Sequence, residues 1–469
     1  MAIKHLFKIK TLGDIDMIDV AFLRTLLEEK KYSDIKEELL KYDAFDISEA
    51  LKKLSGSDLI LLYRFLPKKV AVEAFSNFDQ GTKNKLANSF TNKEIREMID
   101  ELNLDDVIDL LEEVPANVVQ RFLASSTEEN REIINKFLSY SDDSAGSIVT
   151  IEYIELKDYF RVGEALDYIR KVAKTKEDIY TYYITDEEKR LKGVVKIEDL
   201  MLSSDNVIIS EIMKDSGFYI VKVSDGKEDV ALLFQNHDIS SVPVVDNEGR
   251  MIGVIIIDDI LEVIQSLNTE DFQIMAAVTP LGKSYLDTSI FDMTKNRIVW
   301  LLILMISSTL TATIITNYQN LVLSLVILTS FIPLLMDTSG NAGSQASALI
   351  IRELALGTLK VSDFFKVLLK EVSVSILVGS ILASINFIRV VFFVIPAHDE
   401  RFKIAFVVSA CLMIGLMVAK ILGGLLPILA KFMKIDPALM AGPLITTIAD
   451  VVTLIAYFNI AKLVLTNYF

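Results

Sequence analysis

One cysteine, Cys411, is all that 469 residues contain, and it sits in an apolar run. No disulfide can form within the chain, and no thiolate cluster can be built around a metal. Histidine is almost as scarce: His5, His237 and His398 are the three, too few for zinc or copper sites of the usual kind. The opening MAIKHLFKIKTLGDID carries charges throughout its apolar stretch, so it is expected not to act as a secretory signal and to leave the first domain in the cytoplasm. No pairing of nucleophile with base and no phosphate-cradling loop stands out, which argues against an enzyme and leaves no catalytic residue to name. Basic charge is lacking too, but in one part only. Of 48 Lys/Arg and 64 Asp/Glu, residues 291–469 hold 13 and 9, leaving 35 and 55 for residues 1–290, a balance of +4 against −20. An acidic domain of that strength repels nucleic acid and attracts cations. Its carboxylates suit hard, oxygen-liganded ions.

Residues 20 to about 138 repeat apolar positions at i, i+3 and i+4 between short polar joints, as in Ile35–Tyr42, Asp58–Leu66, Ala71–Phe78, Glu94–Leu102 and Asp105–Val114. This periodicity predicts an all-α superhelical array of short antiparallel helices. Pro67 and Pro115 fall at junctions, where a missing N–H is tolerated. An internal repeat then appears at an offset of 60. The run Asp186-Glu-Glu-Lys-Arg-Leu-Lys-Gly193, continuing to Asp199, matches Asp246-Asn-Glu-Gly-Arg-Met-Ile-Gly253, continuing to Asp259. Each copy predicts a strand (Thr181–Thr185 or Ser241–Val245), a polar turn, a second strand and a helix that starts at the acidic pair. The unit resembles a CBS domain, and the two together resemble a tandem CBS pair of α/β type. Such pairs bind nucleotides, bind metals or only dimerise, so ATP at this pair stays an open alternative.

Beyond Gln265 the segment 266–291 is mixed and partly amphipathic, and it leads to Lys295 and Arg297. Five apolar stretches follow, roughly Ile298–Thr316, Leu321–Ile350, Val367–Ile395, Ile404–Ala430 and Pro443–Leu465. The first has no charge over 19 residues, enough to cross a hydrocarbon core of about 30 Å. Arg352, Lys360, Lys366, Lys370, Lys431 and Lys434 flank one side, against Arg389, Arg401 and Lys403 on the other. That bias places the N-terminus in the cytoplasm and, after five spans, Phe469 outside.

Two of these spans contain residues that lipid does not welcome. The second reads Phe331-Ile-Pro-Leu-Leu-Met-Asp-Thr-Ser-Gly-Asn-Ala-Gly-Ser-Gln345. A proline and a cluster of small polar residues there suggest broken backbone lining a water-filled path. The competing role is close helix packing through small residues. The fifth follows Asp436-Pro437-Ala438 and Gly442-Pro443 and holds Asp450 within an apolar run. A carboxylate near the middle of a bilayer needs water, an ion or a partner. Asp450 is therefore an ion site, unless it forms a structural pair with Lys420 or Lys462.

Taken together, Pro333, Gly340-Asn341-x-Gly343-x-Gln345, Asp436-Pro437-Ala438, Gly442-Pro443 and Thr447-x-x-Asp450 resemble the MgtE family of magnesium channels. The resemblance covers essentially the whole chain. It implies a multidomain membrane protein with a helical N-domain (1–140), a CBS pair (141–265), a connecting, plug-type helix (266–291) and a pore domain of five helices (292–469). It also implies a homodimer in the inner membrane, with Mg2+ as the ion and the pore on the two-fold axis. Asp450, Asn341, Thr446, Gly340 and the backbone near Ala449 would meet the hydrated ion, which suits the reluctance of Mg2+ to lose water. Cytoplasmic Mg2+ would close the pore by bridging acids: Glu73, Asp105 and Asp109 in the helical domain, Glu228, Asp238, Asp259 and Glu262 in the second CBS unit, and Glu270 and Asp271 in the connector. Two positions depart from the family's pattern: Ser339 stands where a further glycine is common, and Asp337 adds a carboxylate. Leu267 stands where a further connector acid can occur. Other classes stay open: a CBS-regulated membrane receptor, or a coupled exporter of Mn2+ or Co2+.

Overall fold

The computed structural model describes residues 18–465 except 55, 102–106, 109, 112–113, 115, 282–284, 287 and 320–325. Asp105, Asp109, Pro115 and Phe469 lie outside the described residues. The chain divides into two compact units, Met1–Ile264 and Gln265–Phe469.

The first unit opens with short helices: α1 (Val20–Glu28), α2 (Tyr32–Leu39), α3 (Ala44–Lys52), α4 (Gly56–Phe65), α5 (Lys68–Ser76), α6 (Gln80–Ser89), α7 (Asn92–Glu101), α8 (Ala116–Ser125) and α9 (Glu128–Phe137). Side-chain caps punctuate them. Asp19, Asp43, Asp79 and Thr127 each accept from a backbone N–H in the first turn that follows, satisfying donors that the helix itself leaves open. Pro67 stands as the residue before α5. The apolar stripes face inward: Leu23, Ile35, Leu39, Ile47, Leu51 and Leu62 are fully buried. Helices α1, α3, α6, α8 and α9 lie outside the segments named in the sequence; of these α6 has almost no apolar stripe, burying mainly Leu86 and Ala87.

The repeat at offset 60 becomes two matching sheets. In the first, β1 (Ile154–Leu156) pairs parallel to β2 (Thr181–Thr185), which pairs antiparallel to β3 (Leu191–Lys196). Helices α10 (Val162–Val172), α11 (Ile197–Leu202) and α12 (Ile209–Ile212) belong to this copy. In the second, β4 (Val221–Lys222), β5 (Ser241–Val245) and β6 (Met251–Ile256) repeat the order, with α13 (Lys227–His237) and α14 (Ile257–Met275). The registers agree position for position: Thr181 faces Lys196 as Ser241 faces Ile256, and each hairpin shifts register at the same place. Both turns are built alike. Asp186 Oδ1 accepts from Glu188 N and Arg190 N, and Asp246 Oδ1 accepts from Glu248 N and Arg250 N. The residue between them has positive φ in both copies, Lys189 at 62° and Gly249 at 79°, and only glycine adopts that region without cost. The sheets meet through Tyr183, Val194, Met251 and Val254, and Tyr183 Oη lies 2.8 Å from Ser241 Oγ.

The second unit is helical: α15 (Ile290–Asn317), α16 (Ile332–Ala355), α17 (Phe364–Arg389), α18 (Arg401–Phe432) and α19 (Gly442–Val464). Among the described residues, four segments are long and apolar enough to cross a membrane: Ile290–Asn317, Val361–Val394, Arg401–Phe432 and Pro437–Val464. Helix α16, with its small polar residues, is not among them. The central helix is α18, which buries Ala405, Val408, Leu412, Ala419 and Gly423 against its neighbours. Glycines set the closest approaches. A Cβ on Gly343 would come 2.6 Å from Ile445 Cγ2 and 3.0 Å from the Ala419 carbonyl oxygen, and one on Gly423 would collide with the Gly343 carbonyl.

Candidate ion path and regulatory carboxylates

Helix α16 corrects the expectation of broken backbone in the second span. It runs unbroken from Ile332 to Ala355, and Pro333 sits in its first turn, where the missing N–H costs nothing and the fixed φ suits a helix start. A short 3-10 segment, Val326–Phe331, precedes it. The glycines of Gly340-Asn-Ala-Gly343 do serve close packing. The polar residues between them do something else.

One side of α16 is packed: Leu335, Ser339, Gly340, Ala342, Gly343, Ala346, Ser347 and Ile350 are buried. The other side is open: Asp337, Asn341 and Gln345, spaced one turn apart, are all exposed. Side chains four apart share one helix face, so this is a continuous polar stripe on a helix surrounded by apolar ones. Helix α19 lies antiparallel to α16 and is pinned at two heights. Ser347 Oγ donates to the Met440 carbonyl at 3.0 Å, and Thr453 Oγ1 donates to Ser339 Oγ at 3.4 Å. Between them Gly340 faces Thr446, and a Cβ there would come 2.7 Å from Thr446 Cγ2. The approach to α19 is capped by Asp436, whose Oδ1 accepts from Ala438 N at 2.8 Å. Within α19, Thr446 and Thr447 both donate to the Pro443 carbonyl at 2.9 Å.

Asp450 is half-buried on this helix, with Oδ1 fully enclosed and without a hydrogen-bond partner. Neither proposed lysine pairs with it. Lys420 Nζ instead faces Glu371 Oε2 at 4.0 Å, and Lys462 is exposed. Of the other expected pore residues, Asn341 is exposed, Thr446 is half-buried, and Gly340 and Ala449 are buried, Ala449 in the middle of an unbroken helix. The Lys420–Glu371 pair was not anticipated. Its signal in the sequence was two opposite charges, each inside an apolar stretch.

The expected regulatory acids that the structure describes fall on several elements. Glu73 is exposed on α5, Glu228 is exposed in the first turn of α13, and Asp238 is exposed just past its end with φ of 50°. Asp259 and the exposed Glu262 sit near the start of α14. Glu270 and Asp271 sit near its end, because this helix begins inside the second CBS unit and stops at Met275. In the second unit, Arg352 Nη1 donates to Asn268 Oδ1 at 2.9 Å, and Ile274 and Met275 pack on Ile351, Ala438 and Ala441. Among the described residues, no three His, Cys, Asp or Glu side chains converge to hold a metal within one chain.

Comparison with known proteins adds a consistent picture. Residues 332–460 match the family model described as a divalent cation transporter, residues 42–143 match the MgtE intracellular N domain, and residues 209–266 match the CBS domain. The magnesium transporter MgtE of Thermus thermophilus is 31% identical over 455 residues, 94% of this chain and 99% of that one. The Bacillus subtilis protein of the same name is 25% identical over 437 residues, 93% and 95% of the two chains. Among solved structures, the cytosolic domain of the Mg2+ channel MgtE in complex with ATP superposes with a TM-score of 0.50 at 30% identity, covering 52% of this chain and 100% of that one.

Proposed function

The chain belongs to the MgtE family of magnesium transporters, and on that premise we propose that it is a homodimeric, multi-pass channel that Mg2+ itself closes from the cytoplasm. Magnesium is the cargo. The observation that carries the pore assignment is Asp450, whose enclosed Oδ1 has no hydrogen-bond partner in an apolar helix packed against α16. A buried acceptor left unsatisfied is costly, and in a membrane the natural remedies are water and a cation. The open stripe Asp337–Asn341–Gln345 supports a second copy on that side, with the path between the two chains. Helix α16 then counts as a fifth span, polar because it faces the path. The N-terminus is cytoplasmic and the C-terminus outside, which the distribution of Lys and Arg favours.

Two Asp450 carboxylates, one from each chain, suit a hydrated Mg2+ better than a cage that strips its water. Asn341, Thr446 and backbone beside Gly340 and Ala449 would meet the water shell. Closure works through the acidic unit. Glu73, Asp105, Asp109, Glu228, Asp238, Asp259, Glu262, Glu270 and Asp271 are the ligands proposed to be bridged by ions between domains and chains, a reading that needs no group of three such acids within one chain, and none is found among the described residues. A balance of −20 over residues 1–290 opposes such closure until cations neutralise it. The solved relative holds ATP in its cytosolic domain, and the CBS pair is where a nucleotide would act on this chain. The test is flux of Mg2+, Mn2+, Co2+ and Ca2+ into proteoliposomes with no imposed proton gradient: Mg2+ entry without a gradient is expected, and entry only when protons are driven would replace a channel with coupled transport.

A further inference from the structure

We propose that Asp337 is a second carboxylate of the ion path, on the open stripe of α16, and that it and Asp450 together set the preference of the path for divalent over monovalent cations. The proposal rests on the assignment of Asp450 to the path. Its geometry comes from the antiparallel pairing of α16 and α19. Gly340 faces Thr446 at close contact. Moving one turn toward the start of α16 reaches Asp337, three residues before Gly340. Moving one turn the same way along α19 reaches Asp450, four residues after Thr446. The Ser339–Thr453 hydrogen bond of 3.4 Å joins the two helices between the carboxylates, Asp337 lying two residues past Ser339 and Asp450 three residues short of Thr453. The two carboxylates therefore stand on neighbouring helices within about two turns of each other along the bundle.

Asp337 shares the exposed face of Asn341 and Gln345, so it opens onto the side proposed for the path rather than into the packed interior. Its other conceivable role is to complement the dipole of α16. That role fades beyond the first turn, and Asp337 is the sixth residue of a helix that starts at Ile332. The independent sign of a ligand is Asp450 itself, with an oxygen enclosed and unpartnered. One carboxylate per chain already attracts a divalent ion more strongly than a monovalent one. A second carboxylate along the same path widens that difference, because the attraction scales with the product of charges while desolvation is avoided if Mg2+ keeps its water.

The test uses full-length protein in proteoliposomes, comparing Asp337→Asn, Asp337→Glu and Asp450→Asn, each checked for insertion and oligomeric state. Asp337→Asn is expected to raise the half-saturating Mg2+ concentration by on the order of tenfold, in line with the loss of one nearby charge, and to raise permeability to Na+ relative to Mg2+. Asp337→Glu is expected to restore both. Parental half-saturation and selectivity in Asp337→Asn would overturn the proposal, as would a loss of flux that Asp337→Glu does not repair. If Asp337→Asn does not insert, Asp337→Ser carries the same comparison. Asp450→Asn separates the two levels: if it is silent while Asp337→Asn behaves as the parent, the path stands and Asp337 has no part in it. If Asp450→Asn conducts normally, the path assignment itself is wrong.

Discussion

Lys420 Nζ and Glu371 Oε2 face each other at 4.0 Å between α18 and α17, both side chains largely buried, and Glu371 Oε2 accepts no hydrogen bond. This is an ion pair held by charge alone inside the apolar unit. Removing one partner should therefore cost far more than removing both. Lys420→Ala is expected to destabilise the detergent-solubilised protein by about 3–5 kcal/mol, whereas Lys420→Met with Glu371→Leu should be close to neutral. Thermal unfolding followed by fluorescence checks this. A double variant as unstable as the single one would mean that the pair matters for something other than mutual charge compensation.

Gly423 permits the closest approach of α18 to α16, where an added Cβ would meet the Gly343 carbonyl, a backbone atom that cannot swing away. Gly423→Ala gains about 1 kcal/mol of helix propensity, but overpacking costs about 1–3 kcal/mol or more. The net expectation is a lower melting temperature together with reduced flux. An unchanged melting temperature would show that the two helices can separate freely.

Much of the first unit was legible because its signals are local. The strands Thr181–Thr185 and Ser241–Val245 stand where the repeat placed them, since alternation and turn chemistry lie within a few residues of each other. The second span misled, because Pro333 and a run of small residues look like a break until their position is known. At the first turn a proline begins a helix, and the glycines answer to Ile445, Ala419 and Gly423, contacts distant in sequence. Asp450 stood out in the sequence as a carboxylate inside an apolar run. Its lack of a lysine partner did not, because only packing reveals that Lys420 turns toward Glu371. The acids proposed as regulatory form no group of three among the described residues, so a ligand role for them was not legible in a single chain.

The cytosolic part should respond to the ion by itself, as a relative's cytosolic domain has been solved on its own. Fragment 1–270 is expected to dimerise through the CBS pair and to become more compact as Mg2+ rises to about 10 mM, above the range of weak carboxylate sites. Small-angle scattering in chelator and in Mg2+ decides it, and identical dimensions in the two would remove the sensor from the account.

Gating follows from differential affinity: Mg2+ can close the path only if closure gathers acids that the open form separates. Asp259→Asn with Glu262→Gln removes two such ligands and also some repulsion. Ion bridging should dominate, because repulsion is screened beyond about 8 Å at physiological salt. The variant is expected to conduct at Mg2+ concentrations that silence the parent in single-channel recording. An unchanged inhibition curve would leave both residues as solvated surface, and a channel closed even in chelator would make repulsion the larger effect.

The most direct measurement is Mg2+ flux through Asp450→Ala in proteoliposomes, with insertion and oligomeric state confirmed on the same sample. Asp450 carries the only enclosed carboxylate oxygen in α19 and has no protein partner to lose, so its removal should leave folding intact or slightly improved. The account predicts a correctly inserted protein whose Mg2+ flux falls to the level of empty vesicles. Parental flux from that same inserted protein would contradict it.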